Sequence, residues 1–357
     1  MNIKERFKNF LFKKIAQKKH TSILPTQQIK NILIIRDGGI GDAVFSYPLL
    51  RELKNKIPNA KIDIYASLNN HFMYEYTPWV NNVYLKHKKR HWFKTWIELL
   101  KMKRNHYDIA IDDTIVRFHR TLYTMIINPK FVLASSGSTR KYGFDRSELS
   151  YYYRVYQSNN TDIHIVDDRL KVLHFLGITN INNKMDFFLP NKINQNLQTY
   201  INDIKKGYKL IALNTDASHK TRTLNTKQII DLCKLLQNEK IKIIPFCIPS
   251  KLNYFNKLIK DHSLTNVQLP FKSQTIYEAA EILKQVDLII TPDTSFVHIA
   301  SGLDIPTIGL FWNDPTKFIS CAPRSTISVA LTPKGKEENL KNINLQEIQE
   351  NAFKILL

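Results

Sequence analysis

The sequence is poor in cysteine and has no long apolar run, and each of these absences excludes some classes of protein. Cys233, Cys247 and Cys321 lie far apart among 357 residues, without a CxxC or a metal-binding spacing. We expect three buried thiols in a reducing compartment. No apolar run approaches the roughly 18 residues of a transmembrane helix. No apolar core follows the N-terminal charges, so neither a membrane span nor a signal peptide is predicted.

The chain also lacks the short motifs of several nucleotide-binding and nucleic-acid-binding classes. No Gly-Lys-Ser/Thr follows its glycine-containing turn, which excludes a P-loop, and no helix-turn-helix, RNA-recognition or zinc-finger signature is present. No Asp-x-Asp stands at a strand end to hold a divalent ion for a diphosphate, since Asp112 and Asp113 are adjacent. We therefore predict that the protein needs no metal ion or other cofactor and binds no nucleic acid.

Positive charge is in clear excess, because 52 Lys and Arg face 31 Asp and Glu and leave a net charge of +21. Such an excess favours an acidic partner, either a nucleic acid, a membrane surface or a phosphate-rich substrate. Residues 1–20 form a basic segment with apolar residues at helical spacing. This segment is expected either to lie on an anionic membrane surface or to pack on the protein through its apolar face.

Strand-like and helix-like segments alternate along the chain, which predicts βαβ units and parallel sheets. Bounded apolar runs predict strands at 32–35, 61–67, 81–87, 107–113, 209–214, 241–246, 287–291 and 306–311. Amphipathic spacing predicts helices at 92–103, 165–176, 226–239, 275–286 and 345–357.

Five regions follow from this pattern. Residues 1–29 are the basic amphipathic segment, and 30–179 form an N-terminal Rossmann-like domain. Residues 180–205 begin with an Asn-rich stretch of little periodicity and are a predicted linker. Residues 206–340 form a second Rossmann-like domain, and 341–357 a C-terminal helix. The predicted fold class is thus α/β, with a ligand site in the cleft between two domains.

The segment 31–57 has the pattern of a buried strand, a glycine-containing turn and a helix. Gly38, Gly39 and Gly41 let a ligand approach the backbone closely, and Asp42 stands where the turn meets the helix. Ligands of open α/β sheets bind at this edge, beyond the carboxyl ends of the strands. Asp42 is therefore a candidate to take part in a reaction at this edge. The alternative is that Asp42 caps the helix, a role that carboxylates also perform.

A second turn of this kind follows the strand that ends at Pro292. Asp293, Thr294 and Ser295 form the turn, and His298 lies on the first turn of the next helix. The free N–H groups and the dipole of that helix make a site for a pyrophosphate. The alternative is an Asp-Thr-Ser cap with a core histidine.

Basic side chains follow two other predicted strands. The loop 213–224 carries Ser218, Lys220 and Arg222, which suit phosphate oxygens, although a solvated basic loop is the alternative. Basic residues after Asp113 are further candidates to bind phosphate groups of an acidic partner. These candidates are Arg117, Arg120, Arg140 and Lys141.

Taken together, the motifs resemble the heptosyltransferase family, which is glycosyltransferase family nine. The likeness rests on GxGDxxxxxPxL at 39–50, S-x-K-x-R at 218–222, and PDTSxxHxA at 292–300 followed by PTIGLF at 306–311. It spans roughly residues 30–322 and lies in the order and spacing of the motifs. The type members of this family move heptose from ADP-heptose onto the inner core of lipopolysaccharide.

The resemblance implies a GT-B architecture, in which two Rossmann-like domains face each other across a cleft. The N-terminal domain would hold a lipopolysaccharide or lipooligosaccharide core acceptor, with Asp42 as the base of an inverting transfer. The basic residues after Asp113 would bind the phosphates of this acidic glycolipid. The C-terminal domain would hold the nucleotide sugar, most simply ADP-heptose. The donor-binding positions implied are Lys220, Arg222, Asp293, Thr294 and His298. An acid that the family often places after the strand 241–246 is missing until Asp261.

Other classes stay open at this point. A dehydrogenase would need a fuller glycine fingerprint and a ribose-binding acid about 20 residues further on, where Asp63 stands. A nucleic-acid-binding module would explain the charge but not two polar turns at matched strand ends. A non-catalytic relative would keep the same fold.

The basic segment generates a first prediction, because a lipid-linked acceptor would lie at the inner face of the inner membrane. We expect a cytoplasmic, peripheral protein that binds anionic liposomes less well when residues 1–20 are removed. Each lysine near the surface should contribute about 1 kcal/mol, and the attraction should fade with salt. Sedimentation of both forms with liposomes measures this. Equal pelleting would show that the segment only packs on the protein.

Overall fold

The chain divides into two compact units, Met1–Asn183 and Lys184–Leu357. The computed structural model describes residues 25–112, 118–135, 153–156, 162–192, 194–205, 207–217, 219–335 and 339–357. The predicted amphipathic segment 1–20 and four predicted site residues, Arg117, Arg140, Lys141 and Ser218, lie outside these ranges. For Lys220, only the backbone is described.

Unit 1 is built on a six-stranded sheet in which every pair of neighbouring strands is parallel. Its strands are β1 Asn31–Arg36, β2 Lys61–Ser67, β3 Asn82–Lys86, β4 Ile109–Asp112, β5 Phe131–Ser135 and β6 Tyr153–Tyr156. They lie in the order β3-β2-β1-β4-β5-β6, which is the doubly wound order of dinucleotide-binding folds. The Ile-rich run of β1 is fully buried, as expected of a strand covered on both faces.

Helices cover this sheet because parallel strands need crossover connections. They are α1 Ile40–Val44, α2 Tyr47–Lys56, α3 Trp92–Lys103, α4 Phe118–Ile127 and α5 Ile165–Leu170. Helix α5 continues as a 3₁₀ helix at Lys171–Leu176, and shorter 3₁₀ helices lie at Thr26–Gln28, His71–Tyr74 and Lys89–His91. Leu99 and Met102 of α3 join Leu33 and Tyr65 of the sheet in one buried cluster. Only one face of α3 contributes to that cluster.

Unit 2 repeats the plan with five parallel strands. They are β7 Lys209–Asn214, β8 Ile241–Phe246, β9 Leu288–Pro292, β10 Thr307–Leu310 and β11 Ser328–Leu331, in the order β11-β10-β9-β7-β8. The helices are α6 Gln195–Ile204, α7 Thr226–Leu235, α8 Leu252–Asp261, α9 Ile276–Leu283, α10 Ser295–Leu303, α11 Pro315–Cys321 and α12 Leu345–Leu356. Two 3₁₀ helices lie at Lys220–Arg222 and Pro249–Lys251.

In each sheet, the strand that comes first in the chain pairs with a neighbour on both sides. The chain adds strands outward on one side of it and then crosses over to add strands on the other side. In unit 1, β1 lies between β2 and β4, and in unit 2, β7 lies between β8 and β9. A crevice opens at the carboxyl end of such a switch point, and this is where doubly wound sheets bind ligands. The fold therefore predicts ligand sites at the carboxyl ends of β1 and β4 in unit 1, and of β7 and β9 in unit 2.

The predicted elements recur with small shifts at their ends. The strands predicted at 61–67, 209–214 and 241–246 match β2, β7 and β8. The predicted linker differs, because its residues 195–204 form α6, which buries Leu197, Ile201 and Ile204. Within the described residues, no helix has the length and apolar character needed to cross a membrane.

Candidate active site

Asp42 is the third residue of the short helix α1, directly after the turn that follows β1. The backbone N–H of Gly39, the residue that caps α1, donates a hydrogen bond to Asp42 Oδ2 at 3.0 Å. Gly41 lies inside α1, where its carbonyl accepts a hydrogen bond from the N–H of Phe45. The side chain of Asp42 nevertheless keeps 40% of its accessible surface. The Asp42 side chain therefore accepts the N–H of the cap residue Gly39 and still presents a carboxylate to solvent.

Arg169, on α5, holds Asp42 from the buried side. Its Nη2 lies 2.7 Å from Asp42 Oδ1, and its Nη1 donates to the Asp42 carbonyl oxygen at 2.9 Å. Only 7% of the Arg169 side chain is exposed. Partial burial opposes ionisation of Asp42, but the Arg169 guanidinium and the Gly39 N–H outweigh it and lower its pKa to about 2. The carboxylate is thus charged and oriented at neutral pH. Sequence reasoning missed Arg169, because no local pattern relates it to a residue 127 positions away.

Gly38 is the glycine of this turn that the geometry requires. A Cβ added there would lie 2.2 Å from Asp42 Oδ2, whereas one added to Gly39 would meet nothing within 4 Å. The close approach expected of a glycine in this turn is therefore to the Asp42 side chain. The predicted role of Gly39 and Gly41 beside a ligand stays a prediction.

Arg120 lies in a buried ion cluster beside this turn. Asp37, which follows β1 and has a fully buried side chain, forms ion pairs with Arg120 of α4 and Lys86 of β3. Burial raises the pKa of Asp37, but Arg120 and Lys86 hold it below its ordinary value. The cluster joins the ends of β1 and β3 to α4 and balances the buried charge of Asp37. The predicted contact of Arg120 with an acceptor stays a prediction.

The carboxylate of Asp63 is engaged inside unit 1. The Tyr107 hydroxyl donates to it at 2.6 Å, and the side-chain amides of Asn82 and Asn105 donate at 2.9 and 3.0 Å. Asp63 is 3% exposed and belongs to β2. The Asp63 carboxylate is therefore buried and engaged in hydrogen bonds within unit 1. The dehydrogenase hypothesis thus loses its candidate for a ribose-binding acid.

In unit 2, the switch point is bridged by hydrogen bonds. Asn214, at the end of β7, donates through Nδ2 to Thr291 Oγ1 at 2.9 Å and to Thr294 Oγ1 at 3.2 Å. Thr294 also caps α10, accepting from the N–H of Phe296 at 3.3 Å. Ser295 begins α10 at the rim of a cavity, and His298 is buried one turn further along. These hydrogen bonds join the predicted turn to the end of β7, and the amino end of α10 lies at the sheet edge.

Arg222 and Asp293 lie together at this edge. Arg222 Nη1 is 3.6 Å from Asp293 Oδ2, and its guanidinium stacks 3.4 Å from the centre of the Trp312 ring. Burial raises the pKa of Asp293, and Arg222 offsets part of that rise. The predicted loop cation and the predicted turn acid are therefore neighbours. One quarter of the Arg222 side chain stays exposed, so its remaining donors can meet an anion.

A cavity of about 550 Å³ opens beside α10. Its walls come from the ends of β7 and β8 and from α9, and include Phe246, Phe271 and Ser295. Asp216 and Lys251 form an ion pair in this wall. The other carboxylate oxygen of Asp216 is buried and accepts no hydrogen bond from the residues that the structure describes. Sequence reasoning missed Asp216; its position two residues after a strand end was the available signal.

The thiols lie mostly as the sequence predicts. Cys233 and Cys321 are buried, and Cys247 is half-buried in the cavity wall. Burial raises the pKa of Cys247 to about 11, which leaves it protonated. In the ranges that the structure describes, no three His, Cys, Asp or Glu side chains converge as metal ligands do.

The described fold matches solved structures along most of its length. A crystal structure of a family 9 glycosyl transferase from Veillonella parvula matches with a TM-score of 0.73 and 15% identity, over 94% of this chain and 99% of that one. The structure of Escherichia coli heptosyltransferase WaaC with ADP matches with a TM-score of 0.69 and 15% identity, over 91% and 99% of the chains. The fold is that of a GT-B glycosyltransferase.

The family follows from the sequence comparison. The model of glycosyltransferase family 9, the heptosyltransferases, matches residues 100–347. The chain therefore belongs to glycosyltransferase family 9 and is a glycosyltransferase, as its motifs predicted. The putative lipopolysaccharide heptosyltransferase 4 of Escherichia coli K12 is 26% identical over 329 residues, which are 88% of this chain and 82% of that protein.

The turn around Asp42 generates a prediction with a neighbouring control. Gly38→Ala should push the carboxylate away from Arg169, and the pKa of Asp42 should rise from about 2 towards its ordinary value of 3.8. Gly39→Ala should leave the pKa unchanged, because its Cβ has open space. Carboxyl-detected NMR titration, with Asp42→Asn to assign the signal, measures both. An unchanged pKa in Gly38→Ala would mean that the carboxylate is not confined as described.

Proposed function

We propose that the protein is an inverting heptosyltransferase that moves heptose from ADP-heptose onto a lipopolysaccharide or lipooligosaccharide core. One observation carries the proposal: a charged, half-exposed carboxylate, Asp42, is fixed by Arg169 at the carboxyl edge of a parallel sheet. The relative reported above, the putative lipopolysaccharide heptosyltransferase 4 of Escherichia coli K12, supports the sugar and the acceptor class. The fold shared with a heptosyltransferase that holds ADP supports the nucleotide.

In this proposal, Asp42 accepts the proton of the acceptor hydroxyl as its oxygen attacks the anomeric carbon. A carboxylate with a pKa of about 2 is deprotonated at neutral pH, so it is always ready to accept. Its low basicity favours a proton transfer that accompanies bond formation, when the attacking oxygen gains positive charge and its proton becomes acidic. Arg169 contributes by holding the carboxylate in place, which makes it a positioning residue.

The nucleoside diphosphate leaves with growing negative charge, and unit 2 offers groups to stabilise it. The N–H groups at the start of α10 and the cations Arg222 and Lys220 are suited to the phosphates. Arg222 is oriented by Asp293 and by the Trp312 ring. These groups supply the positive charge of the proposed transfer without a metal ion.

The cavity beside α10 is the proposed site of the nucleoside. Its volume of about 550 Å³ lies within the usual range of ligand pockets. The buried Oδ2 of Asp216 suits a ribose hydroxyl donor, and Lys251 pairs with the other oxygen of that carboxylate. Asp216, after β7, would thus replace the acid that the sequence lacks after β8.

The base assignment predicts a large loss of rate without loss of nucleotide. Asp42→Asn should lower heptose transfer by about 10²-fold or more, while ADP affinity measured by calorimetry stays close to that of the wild type. Asp261→Asn, an exposed acid in the last turn of α8, is the control and should leave both unchanged. Near wild-type turnover by Asp42→Asn would reduce Asp42 to a helix cap.

The donor assignment predicts weaker binding of ADP after changes at the two loops of unit 2. Lys220→Ala should remove a phosphate partner, and Asp293→Ala should release Arg222 from its oriented position. Each should weaken ADP binding by about tenfold in calorimetry, as expected for loss of one charge-assisted contact.

The matched controls for this experiment are Lys260→Ala and Asp261→Ala. Both residues are exposed at the end of α8, which runs back from the carboxyl end of β8 towards the opposite edge of the sheet. They should bind ADP as the wild type does. Unchanged affinity in both loop variants would show that the nucleotide does not bind at this edge of unit 2.

A further inference from the structure

Helix α3 exposes an apolar surface that the proposed reaction does not use. Five large apolar residues stand on it with between 41% and 63% of their surface accessible. We call them the α3 outer face; they are Trp92, Phe93, Trp96, Ile97 and Leu100. Monomeric proteins seldom leave so many large apolar side chains together in solvent, and a patch of this kind marks an interaction surface.

The helical period explains why this surface is not part of the core. At about 100° per residue, these five positions fall within one sector of about 140°. Thr95, Leu99 and Met102 fall in a different sector and are the buried residues of the helix. Helix α3 therefore packs on the sheet through one face and carries a second apolar face outward, which folding alone does not require.

Exposed cations surround the α3 outer face. Lys88, Lys89 and Arg90 precede the helix, Lys94 lies within it, and a further group follows its last apolar residue. That further group consists of Lys101, Lys103 and Arg104. The one acid of the helix, Glu98, is half-buried and paired with Lys101 at 3.0 Å. An apolar stripe with cations at both ends is complementary to a surface in which negative charges lie above an apolar layer.

We propose that the α3 outer face docks the protein on an anionic lipid bilayer. Two of its five side chains are tryptophans, which favour the interface between headgroups and acyl chains. The flanking lysines and arginines would reach anionic headgroups while the stripe enters the boundary layer. This surface consists of residues of α3, and none of residues 1–20 belongs to it. Its existence does not depend on the proposed reaction.

The test uses the full chain and two substitutions of the same type. Ile97 on the α3 outer face and Ile327 in unit 2 are each 49% exposed. Ile97→Glu should weaken binding to vesicles of equal parts phosphatidylglycerol and phosphatidylcholine by about tenfold, because it places a carboxylate in the apolar stripe. Ile327→Glu carries the same change of charge and should bind as the wild type does. Sedimentation measures both, and thermal unfolding confirms that both variants fold.

Two further readouts test whether the α3 outer face itself contacts the lipid. Tryptophan emission should shift to the blue on vesicle binding, and the shift should be lost when Trp92 and Trp96 are both changed to Phe. Equal binding by the wild type and Ile97→Glu would overturn the proposal, as would an equal loss in both glutamate variants. If Ile97→Glu instead abolished a dimer seen by analytical ultracentrifugation and left vesicle binding intact, the surface would be a contact between two copies of the chain.

Discussion

Parallel pairing obliges each strand of both sheets to be followed by a chain segment that returns across a face of the sheet. The faces of the sheets are therefore covered, and strands such as β1, β4 and β9 are buried, largely apolar segments. Polar chemistry is confined to the edges where strands end. Both candidate sites lie at carboxyl edges for this reason, and both lie where the first strand of the sheet has neighbours with diverging connections.

Charge pairing then decides which acid at such an edge is available. Asp37 and Asp42 are five residues apart, and each is held by an arginine from another helix. Asp37 is fully buried between Arg120 and Lys86, so its charge is used within the protein. Asp42 keeps 40% of its side-chain surface, with its arginine on the buried side. The same kind of ion pair thus produces a structural acid in one case and an accessible carboxylate in the other.

The basic residues of the chain have several different roles. Some cations neutralise carboxylates at the strand ends, as Lys86 and Lys251 do. Arg222 remains partly exposed beside the turn that precedes α10. Others lie around α3 and surround an apolar stripe. The net charge of +21 therefore reflects several local requirements and a lysine-rich surface.

By itself, the sequence determined the alternation of strands and helices, the family, and the position of Asp42 and the Asp293 turn on strand ends. These features depend on residues close together in the chain, where apolar period, glycine and capping chemistry act. The same local signals did not predict α6 within an Asn-rich stretch, nor α8, which no predicted helix covers. Only tertiary structure brought Arg169 to Asp42, Arg120 to Asp37 and Asp216 to Lys251. Those pairs join residues 35 to 127 positions apart, and pairing over such distances depends on how the helices pack across the sheets.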